Sequence, residues 1–413
     1  MGLIKCHRRW SKDQEIQPEN SNHLSSQTSL ASVSSLTSKQ LQPTTPPAPT
    51  NHQLITTFRA HTSSISSVTL SGKHLLSGSS DNQIRVWPRD PLSITSPNNL
   101  ISYGESPVKS MIVCGDKLFT GHQDNKISVW KLDHDNNNNY NNNNCVGATR
   151  VATLPTLNDR VTKMLLAKNY VKIRRHKTCT WVNHVDAVSA LAMSHDGNFI
   201  YSGSWDRTFK VWRASDFKCL ESVWNAHDDA INAIVVSRDG FVYTGSADRK
   251  IKVWKNNEGE KKHFLVDTLE KHKSAVNALA LTVDGSVLYS GACDRSIIVW
   301  EKESGGDDGG DGRHMVVSGA LRGHSMAILC IAVVGDLMVS GSADKTVRIW
   351  RKGIDGKRYI RVGVLEGHNG PIKCLAAAVD SCTDADASGT NYMIYSGSLD
   401  CDVKVWKVWV PFL

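Results

Sequence analysis

Serine, histidine and aspartate recur together along this 413-residue chain, and these residue types build a nucleophilic triad in many hydrolases. Between Ser77 and Trp406, a frame of Ser or Thr, Gly, two residues, Asp, five residues and Trp occurs seven times. A catalytic triad is needed once, with its serine exposed beside an oxyanion site. Seven copies at fixed internal spacing instead predict a structural repeat, and we expect no catalysis and no catalytic residue.

Each copy combines a hydroxyl residue, an aspartate and a tryptophan, and six copies follow a histidine. The sets are His61, Ser77, Asp81 and Trp87; Thr120, Asp124 and Trp130; His184, Ser202, Asp206 and Trp212; His227, Thr244, Asp248 and Trp254; His272, Ser290, Asp294 and Trp300; His324, Ser340, Asp344 and Trp350; and His368, Ser396, Asp400 and Trp406. The second copy has Tyr103-Gly104 where the histidine is expected. Its polar network is therefore predicted to be incomplete.

The local pattern of each copy is that of a β-hairpin. Residues 199–204 are aromatic, β-branched and small, and residues 208–212 alternate, so both favour strands. Asp206 lies in the turn between them, where its side chain can accept bonds from backbone N–H groups. An apolar run after each histidine adds a further strand. About four strands per repeat are expected, and such a unit must stack on its neighbours to bury its faces.

These repeats resemble the WD40 family, as shown by Gly-His at 323–324 and 367–368 and by the terminal tryptophans. The resemblance covers roughly residue 53 to the end and implies an all-β, seven-bladed propeller. It also implies that the Ser or Thr, His, Asp and Trp of each blade form structural hydrogen-bond tetrads. The Trp-Asp dipeptide that gives the family its name is replaced here by Trp-Pro, Trp-Lys, Trp-Arg or Trp-Glu. The long basic connector and the blade order are also similar to plant WD40 proteins of the JINGUBANG type.

The domain organisation follows from the positions of the frames. We expect a disordered Ser/Pro-rich tail over 1–52 and a propeller over 53–413. The lone strand at 53–59 is predicted to complete the last blade from outside and to close the ring. The repeats span about 54–90, 101–132, 181–214, 224–256, 269–302, 321–352 and 365–407, with low-complexity inserts at 133–146, 303–313 and 381–391.

A basic connector separates the second and third copies. It contains Lys163, Lys168, Lys172, Arg174, Arg175 and Lys177, with Tyr170 and Trp181 interleaved. It is either a nuclear-import or anionic docking segment or only a solvated loop. We expect its last part, 177–183, to form an outer strand. The frame cations Arg85, Lys210, Lys252, Arg348 and Lys404 are interpreted as solvated rim charges.

Composition restricts the class of protein. The net charge of +8 permits acidic partners, and ten cysteines without a C-x-x-C pair predict reduced thiols in the cytoplasm, the nucleus or both. No signal peptide, membrane span, metal site or cofactor is expected. The start, Met1-Gly2 with Cys6, departs from a myristoylation signal at the position of Cys6, so we expect no lipidation.

Recognition is the remaining function. Among the residues before the frame aspartates, Trp205 is large, and it either forms a binding hot spot or packs over its own turn. The candidates for partner binding are Trp205, Asp186, Asp228, Asp229, Lys273, Met326, Asn369, Lys172, Arg174, Arg175 and Lys177. We expect a monomeric, regulatory scaffold or adaptor for protein partners. The alternatives are an RNA- or anionic-lipid-binding propeller through 163–177, and a substrate receptor of a ubiquitin ligase. The latter receptors usually carry Trp-Asp-x-Arg, which no copy has.

Overall fold

The structure is a computed structural model, and every structural statement below concerns the residues that it describes. These are residues 33–37, 51–89, 99–133, 147–165, 169–174, 177–256, 262–303, 314–380 and 388–412.

Nine strands precede the connector between the second and third repeats. They are β1 (Asn51–Arg59), β2 (Ile65–Ser71), β3 (His74–Ser79), β4 (Gln83–Pro88), β5 (Leu100–Tyr103), β6 (Val108–Cys114), β7 (Lys117–His122), β8 (Ile127–Asp133) and β9 (Gly147–Leu154). The connector contains the helix α1 (Leu157–Met164) and a hairpin of β10 (Tyr170–Arg174) and β11 (Lys177–Thr180). The prediction of an outer blade strand at 177–183 is wrong, because Lys177–Thr180 pairs with β10 in a separate sheet.

The remaining strands follow one another in groups of four, and the last group has three strands. They are β12 (Val188–Met193), β13 (Phe199–Ser204), β14 (Phe209–Arg213), β15 (Cys219–Val223), β16 (Ile231–Val236), β17 (Val242–Ser246), β18 (Ile251–Asn256), β19 (His263–Leu269), β20 (Val276–Leu281), β21 (Val287–Ala292), β22 (Ile297–Lys302), β23 (Met315–Leu321), β24 (Ile328–Val334), β25 (Leu337–Ser342), β26 (Val347–Lys352), β27 (Tyr359–Leu365), β28 (Ile372–Val379), β29 (Gly389–Ser398) and β30 (Asp402–Pro411).

Seven four-stranded antiparallel sheets form the blades of a propeller. From the innermost strand outward they are β2-β3-β4-β5, β6-β7-β8-β9, β12-β13-β14-β15, β16-β17-β18-β19, β20-β21-β22-β23, β24-β25-β26-β27 and β28-β29-β30-β1. Each innermost strand contacts the innermost strand of the next blade, and β28 contacts β2. The prediction of an all-β, seven-bladed propeller is confirmed.

Strand β1 closes the ring, as the sequence predicts. It pairs with β30 antiparallel, from Asn51 opposite Trp409 to Arg59 opposite Asp402. The ring of Phe58 stacks on Trp87 of the first blade, with centroids 4.6 Å apart. Because the last blade takes its outer strand from the start of the chain, the ring has no free edge at this junction.

The hydrophobic core is divided among the interfaces between blades. Seven clusters of buried residues each join two neighbouring blades, as Phe119 of the second blade joins Leu191 and Trp212 of the third. The glycine of each frame lies at such an interface. A Cβ on Gly203, for example, would lie 2.8 Å from Cγ2 of Ile231 in the next blade. The frame therefore needs glycine because the next innermost strand approaches too closely for a side chain.

The expected disordered tail and inserts differ from the structure at three places. Residues 33–37 pack against the propeller and Asn51 already belongs to β1, so the expectation of disorder over 1–52 is wrong there. The last residues of the predicted insert 381–391 belong to β29. The rest of the tail and nearly all of the inserts 133–146 and 303–313 lie outside the described residues.

Candidate functional site

A chain of four hydrogen-bonding side chains crosses the third blade. The Trp212 indole donates to Ser202 Oγ (2.8 Å), and Ser202 Oγ lies 2.8 Å from His184 Nε2. His184 Nδ1 lies 3.0 Å from Oδ2 of Asp206. Asp206 also accepts from the backbone amides of Val185 and Thr208. This network fastens the loop before the innermost strand to the turn after the second strand.

Six blades share this arrangement. Indole to hydroxyl distances are 2.7–2.9 Å, hydroxyl to His Nε2 distances are 2.8–2.9 Å, and His Nδ1 to carboxylate distances are 2.8–3.0 Å. The sets are His61, Ser77, Asp81 and Trp87; His184, Ser202, Asp206 and Trp212; His227, Thr244, Asp248 and Trp254; His272, Ser290, Asp294 and Trp300; His324, Ser340, Asp344 and Trp350; and His368, Ser396, Asp400 and Trp406. Every member is bonded, and such fully satisfied buried networks fix geometry.

The second blade rebuilds its network with a histidine from within the frame. Trp130 Nε1 donates to Thr120 Oγ1 (2.9 Å), and His122 Nε2 lies 2.7 Å from the same oxygen. His122 Nδ1 lies 3.0 Å from the carbonyl oxygen of Ser106. Asp124 is left out: its Oδ1 is buried without a hydrogen-bond partner among the described residues. The network is thus incomplete at the aspartate, and the sequence signal for His122 is a histidine where five other frames have serine.

The titration behaviour of these groups follows from burial and hydrogen bonding. Burial alone would raise the pKa of Asp81, but the hydrogen bond and charge of His61 and two backbone amides lower it to about 2. Burial lowers the pKa of His184 more strongly than Asp206 raises it. The imidazole of His184 therefore stays neutral and can accept from Ser202 while donating to Asp206. Burial likewise lowers the pKa of His122.

The histidine loops and the aspartate turns together form one end of the blades, which we call the turn face. All six predicted partner-binding residues that follow the histidines are exposed there. They are Asp186, Asp228, Asp229, Lys273, Met326 and Asn369. The amides of Asp228, Lys273 and Asn369 donate to the frame aspartates, so these residues are held in place by the networks beneath them.

Trp205 lies half-buried in its turn on the same face. Its amide donates to the carbonyl of Ala187 (3.1 Å), and Nζ of Lys109 lies 5.6 Å from the centroid of its ring. Lys109 belongs to β6 of the second blade, so the ring is contacted from a neighbouring blade. Trp205 therefore bridges two blades while keeping part of its ring accessible.

Sequence reasoning missed a set of cations on the turn face. The residue after each frame aspartate has a positive φ, which costs a residue other than glycine about 1 kcal/mol or more. In the third to sixth blades this residue is Arg207, Arg249, Arg295 or Lys345, and all four are exposed. None of these cations forms an ion pair within the described ranges. We call these four residues the basic arc.

The interpretation of the frame cations as solvated rim charges is wrong for two lysines. Lys210 is fully buried and Lys404 is 5% exposed. Lys210 Nζ donates to the carbonyl of Trp181 (2.6 Å) and to Ser222 Oγ, and lies over the ring of Trp224. Lys404 Nζ donates to Thr57 Oγ1 in β1 (3.1 Å). These cations tie the third strand of a blade to its outer strand and loop.

The basic connector is ordered more than predicted. Lys172, Arg174 and Lys177 lie in the β10–β11 hairpin, and Arg175 lies outside the described residues. Lys163 belongs to α1, and its Nζ lies 5.4 Å from the ring centroid of Trp181. Oδ2 of Asp159 accepts from the amide of Cys219, which attaches α1 to the outer strand of the third blade.

A cavity of about 670 Å³ lies beside the second blade, between its outer strand and α1. Two ion pairs line it: Lys126 lies 2.9 Å from Asp124, and Arg150 lies 3.3 Å from Glu105. Arg160 lines it too, and its Nε is buried without a hydrogen-bond partner among the described residues. These paired charges do not indicate a particular cofactor.

The repeated Ser, His and Asp groups are not arranged for catalysis. Each serine or threonine of a tetrad is fully buried and accepts from an indole, so no nucleophile is presented to a substrate. Within the described residues, no group of His, Cys, Asp and Glu could hold a metal ion. No helix in that part of the chain is long and apolar enough to cross a membrane.

The model of the WD domain, G-beta repeat (WD40) matches six stretches that together exceed half of the chain. They are residues 52–88, 176–213, 217–255, 264–301, 315–351 and 360–407. The second blade falls outside these stretches, as does its histidine-free loop. Among solved structures, the chain is similar to the WD40 beta propeller domain of Doa1, with a TM-score of 0.61. The identity is 22% and covers 86% of this chain and 96% of that chain, so this likeness concerns the fold alone.

Curated relatives match over shorter stretches. One is Protein ROOT INITIATION DEFECTIVE 3 of Arabidopsis thaliana, 30% identical over 41% of this chain and 40% of that protein. Another is Zinc finger CCCH domain-containing protein 62 of the same plant, 26% identical over 40% of this chain and 37% of that protein. The chain spans less than half the length of these relatives. The resemblance to JINGUBANG-type plant proteins stays a prediction.

Proposed function

Because this chain belongs to the WD40 repeat family, we propose that it is a non-catalytic scaffold that binds protein partners through its turn face. The proposal rests on a difference between the buried tetrads and the exposed residues of that face. The tetrads use the hydrogen-bonding capacity of Ser, His and Asp internally, whereas the residues beside them are exposed and differ from blade to blade. A surface that is rigid in its backbone and variable in its side chains suits recognition.

The charge of the turn face favours an acidic protein segment as the partner. Arg249, Arg295 and Lys345 of the basic arc lie in three consecutive blades without ion-pair partners among the described residues. Asp186, Asp228 and Asp229 offset part of this charge in the third and fourth blades, so the excess is greatest over the fifth and sixth.

Two lysines on innermost strands add to this charge. Lys109 and Lys373 are the second residues of β6 and β28, and burial together with the charge of Lys373 lowers the pKa of Lys109. Repulsion between like charges is relieved when an anionic group binds near them. An acidic partner segment supplies such a group.

The test is affinity capture with quantitative mass spectrometry, from cells that express the protein naturally. The variant Arg249→Glu/Arg295→Glu/Lys345→Glu is compared with wild type and with Lys73→Glu/Arg238→Glu/Lys357→Glu. The control residues are exposed and lie in turns at the opposite end of the blades. We expect the first variant alone to lose a subset of partners. Equal capture by all three proteins would contradict the proposal.

The remaining parts of the functional prediction gain less support. Binding of RNA or anionic lipid through 163–177 stays a prediction, since Lys163 is engaged with Trp181. A ubiquitin-ligase role and a monomeric state stay predictions too. Among the described residues, Cys114, Cys219, Cys330, Cys374 and Cys401 are free thiols, which supports a reducing compartment such as the cytoplasm or nucleus.

A further inference from the structure

A short segment of the tail lies in a groove between the outer strands of the fifth and sixth blades. The amide of Leu36 donates to the carbonyl of Ala320 (2.9 Å), and the amide of Ala320 donates to the carbonyl of Ser34 (2.9 Å). The amide of Tyr359 donates to the carbonyl of Leu36 (3.1 Å). One extended segment, 33–37, therefore adds to the edge of β23 and also reaches the start of β27. This is the bonding that a peptide ligand makes when it adds to a sheet edge.

The groove has a pocket for the Leu36 side chain. Leu36 packs against the cluster that contains Tyr289, Leu321 and Tyr359, and the two tyrosine hydroxyls are bonded to each other at 2.9 Å. A Cβ added to Gly319 would clash with Cγ of Leu36, so the missing side chain at Gly319 makes room for this leucine. Arg322 adds a bond from Nη2 to the carbonyl of Val33 (3.0 Å).

The sixth blade offers an internal comparison. Gly363 is opposite Ile349, as Gly319 is opposite Val299, so the two glycines occupy equivalent positions. A Cβ on Gly363 would meet no atom closer than 3.9 Å. Glycine is therefore required at position 319 by the docked segment and not by the blade itself.

We propose that this groove is a binding site for an extended segment of a protein partner, with an aliphatic residue flanked by Ser or Thr. The chain's own segment 33–37 occupies it as an intramolecular competitor. Its contacts are few, yet a tethered ligand acts at an effective concentration of the order of millimolar for short linkers. Ser34 and Ser35 are exposed, so the bound segment is held by its backbone and by Leu36. The site lies on outer strands and is independent of the turn face.

The first experiment measures binding in trans to the full-length chain. A fluorescein-labelled peptide with the sequence of residues 31–39 is titrated by anisotropy against wild type and Leu36→Asp, whose own segment is released. We expect at least tenfold tighter binding to Leu36→Asp. In that background, Gly319→Ala should abolish binding and Gly363→Ala should preserve it. Equal affinity for wild type and Leu36→Asp, no binding to either, or equal loss with both glycine variants would overturn the proposal.

The second experiment measures the native state directly by amide hydrogen exchange. The amides of Ala320 and Tyr359 should lose protection in Leu36→Asp and in Gly319→Ala, whereas the amide of Val364, the counterpart of Ala320 in the sixth blade, should not change. Unchanged exchange at Ala320 and Tyr359 would contradict docking. Protection that rises with protein concentration would place the segment of a second copy in the groove and overturn the intramolecular assignment.

Discussion

His122 Nε2 lies 2.7 Å from Oγ1 of Thr120, two residues earlier on the same strand. In the other six blades, the histidine that meets this hydroxyl comes from the loop before the innermost strand, and an aspartate holds its other nitrogen. In the second blade the carbonyl of Ser106 replaces that aspartate. A histidine within the frame thus compensates for the missing histidine of the loop, and Asp124 is released from the network.

This substitution predicts that equivalent aspartates differ in their contribution to stability. Asp248→Ala removes the acceptor of His227 and of two amides, and should lower the free energy of unfolding by about 1–3 kcal/mol. Asp124→Ala removes a partly exposed ion pair with Lys126, and should cost no more than about 1 kcal/mol. Urea denaturation of both variants measures the difference. Equal losses would show that Asp124 is part of a tetrad after all.

Ring closure through β1 makes a prediction about Phe58. Phe58→Ala removes the stack on Trp87 across the junction of the last and first blades, and should cost about 3–5 kcal/mol. Leu54→Ala on the same strand is the control, because Leu54 is 41% exposed. Deleting residues 53–60 should lower the melting temperature further. A deletion variant that melts like wild type would rule out closure by this strand.

The shifted pKa values predict loss of stability in acid. The folded-state pKa of Asp81 is about 2, below the ordinary value of 3.8, and that of His184 lies below 6.5. In both windows the unfolded chain binds more protons, so acid favours unfolding. The free energy of unfolding should decline as the pH falls below about 6.5 and decline further from about 4 to about 2. Urea titrations from pH 7 to pH 3 measure it, and a flat profile would be the contrary result.

The buried cation of the third blade predicts an asymmetry between two lysines. Lys210→Ala leaves the carbonyl of Trp181 without its donor and opens space beneath Trp224, which should cost about 1–3 kcal/mol. Lys218→Ala, at an exposed position of the same blade, should change stability by less than about 0.5 kcal/mol. Thermal and urea denaturation compare the two. Similar stabilities would mean that Lys210 is solvated in solution.

The sequence predicts the fold well because the frame keeps its internal spacing, and that spacing places Ser202, Asp206 and Trp212 on two paired strands. The sequence predicts the site less well where a residue has a different environment or partner from its equivalents in other blades. His122 occupies a frame position that carries no expectation of histidine, and Lys210 is buried although lysine is usually exposed. The docked segment 33–37 binds mainly through its backbone, so the sequence of side chains gives little indication that it docks. The positive φ of Arg207 and its equivalents is set by the turn and not by the residue type.

The turn face is proposed to bind an acidic protein segment through the basic arc. The most direct measurement is the Kd of a partner that depends on the arc in affinity capture, determined with purified full-length proteins at constant ionic strength. We expect Arg249→Glu/Arg295→Glu/Lys345→Glu to weaken binding at least tenfold, while Lys73→Glu/Arg238→Glu/Lys357→Glu, which carries the same change of net charge, leaves the Kd within about twofold of wild type. If both variants weakened binding equally, the change in Kd would be caused by net charge alone. That result would contradict a binding site on the turn face.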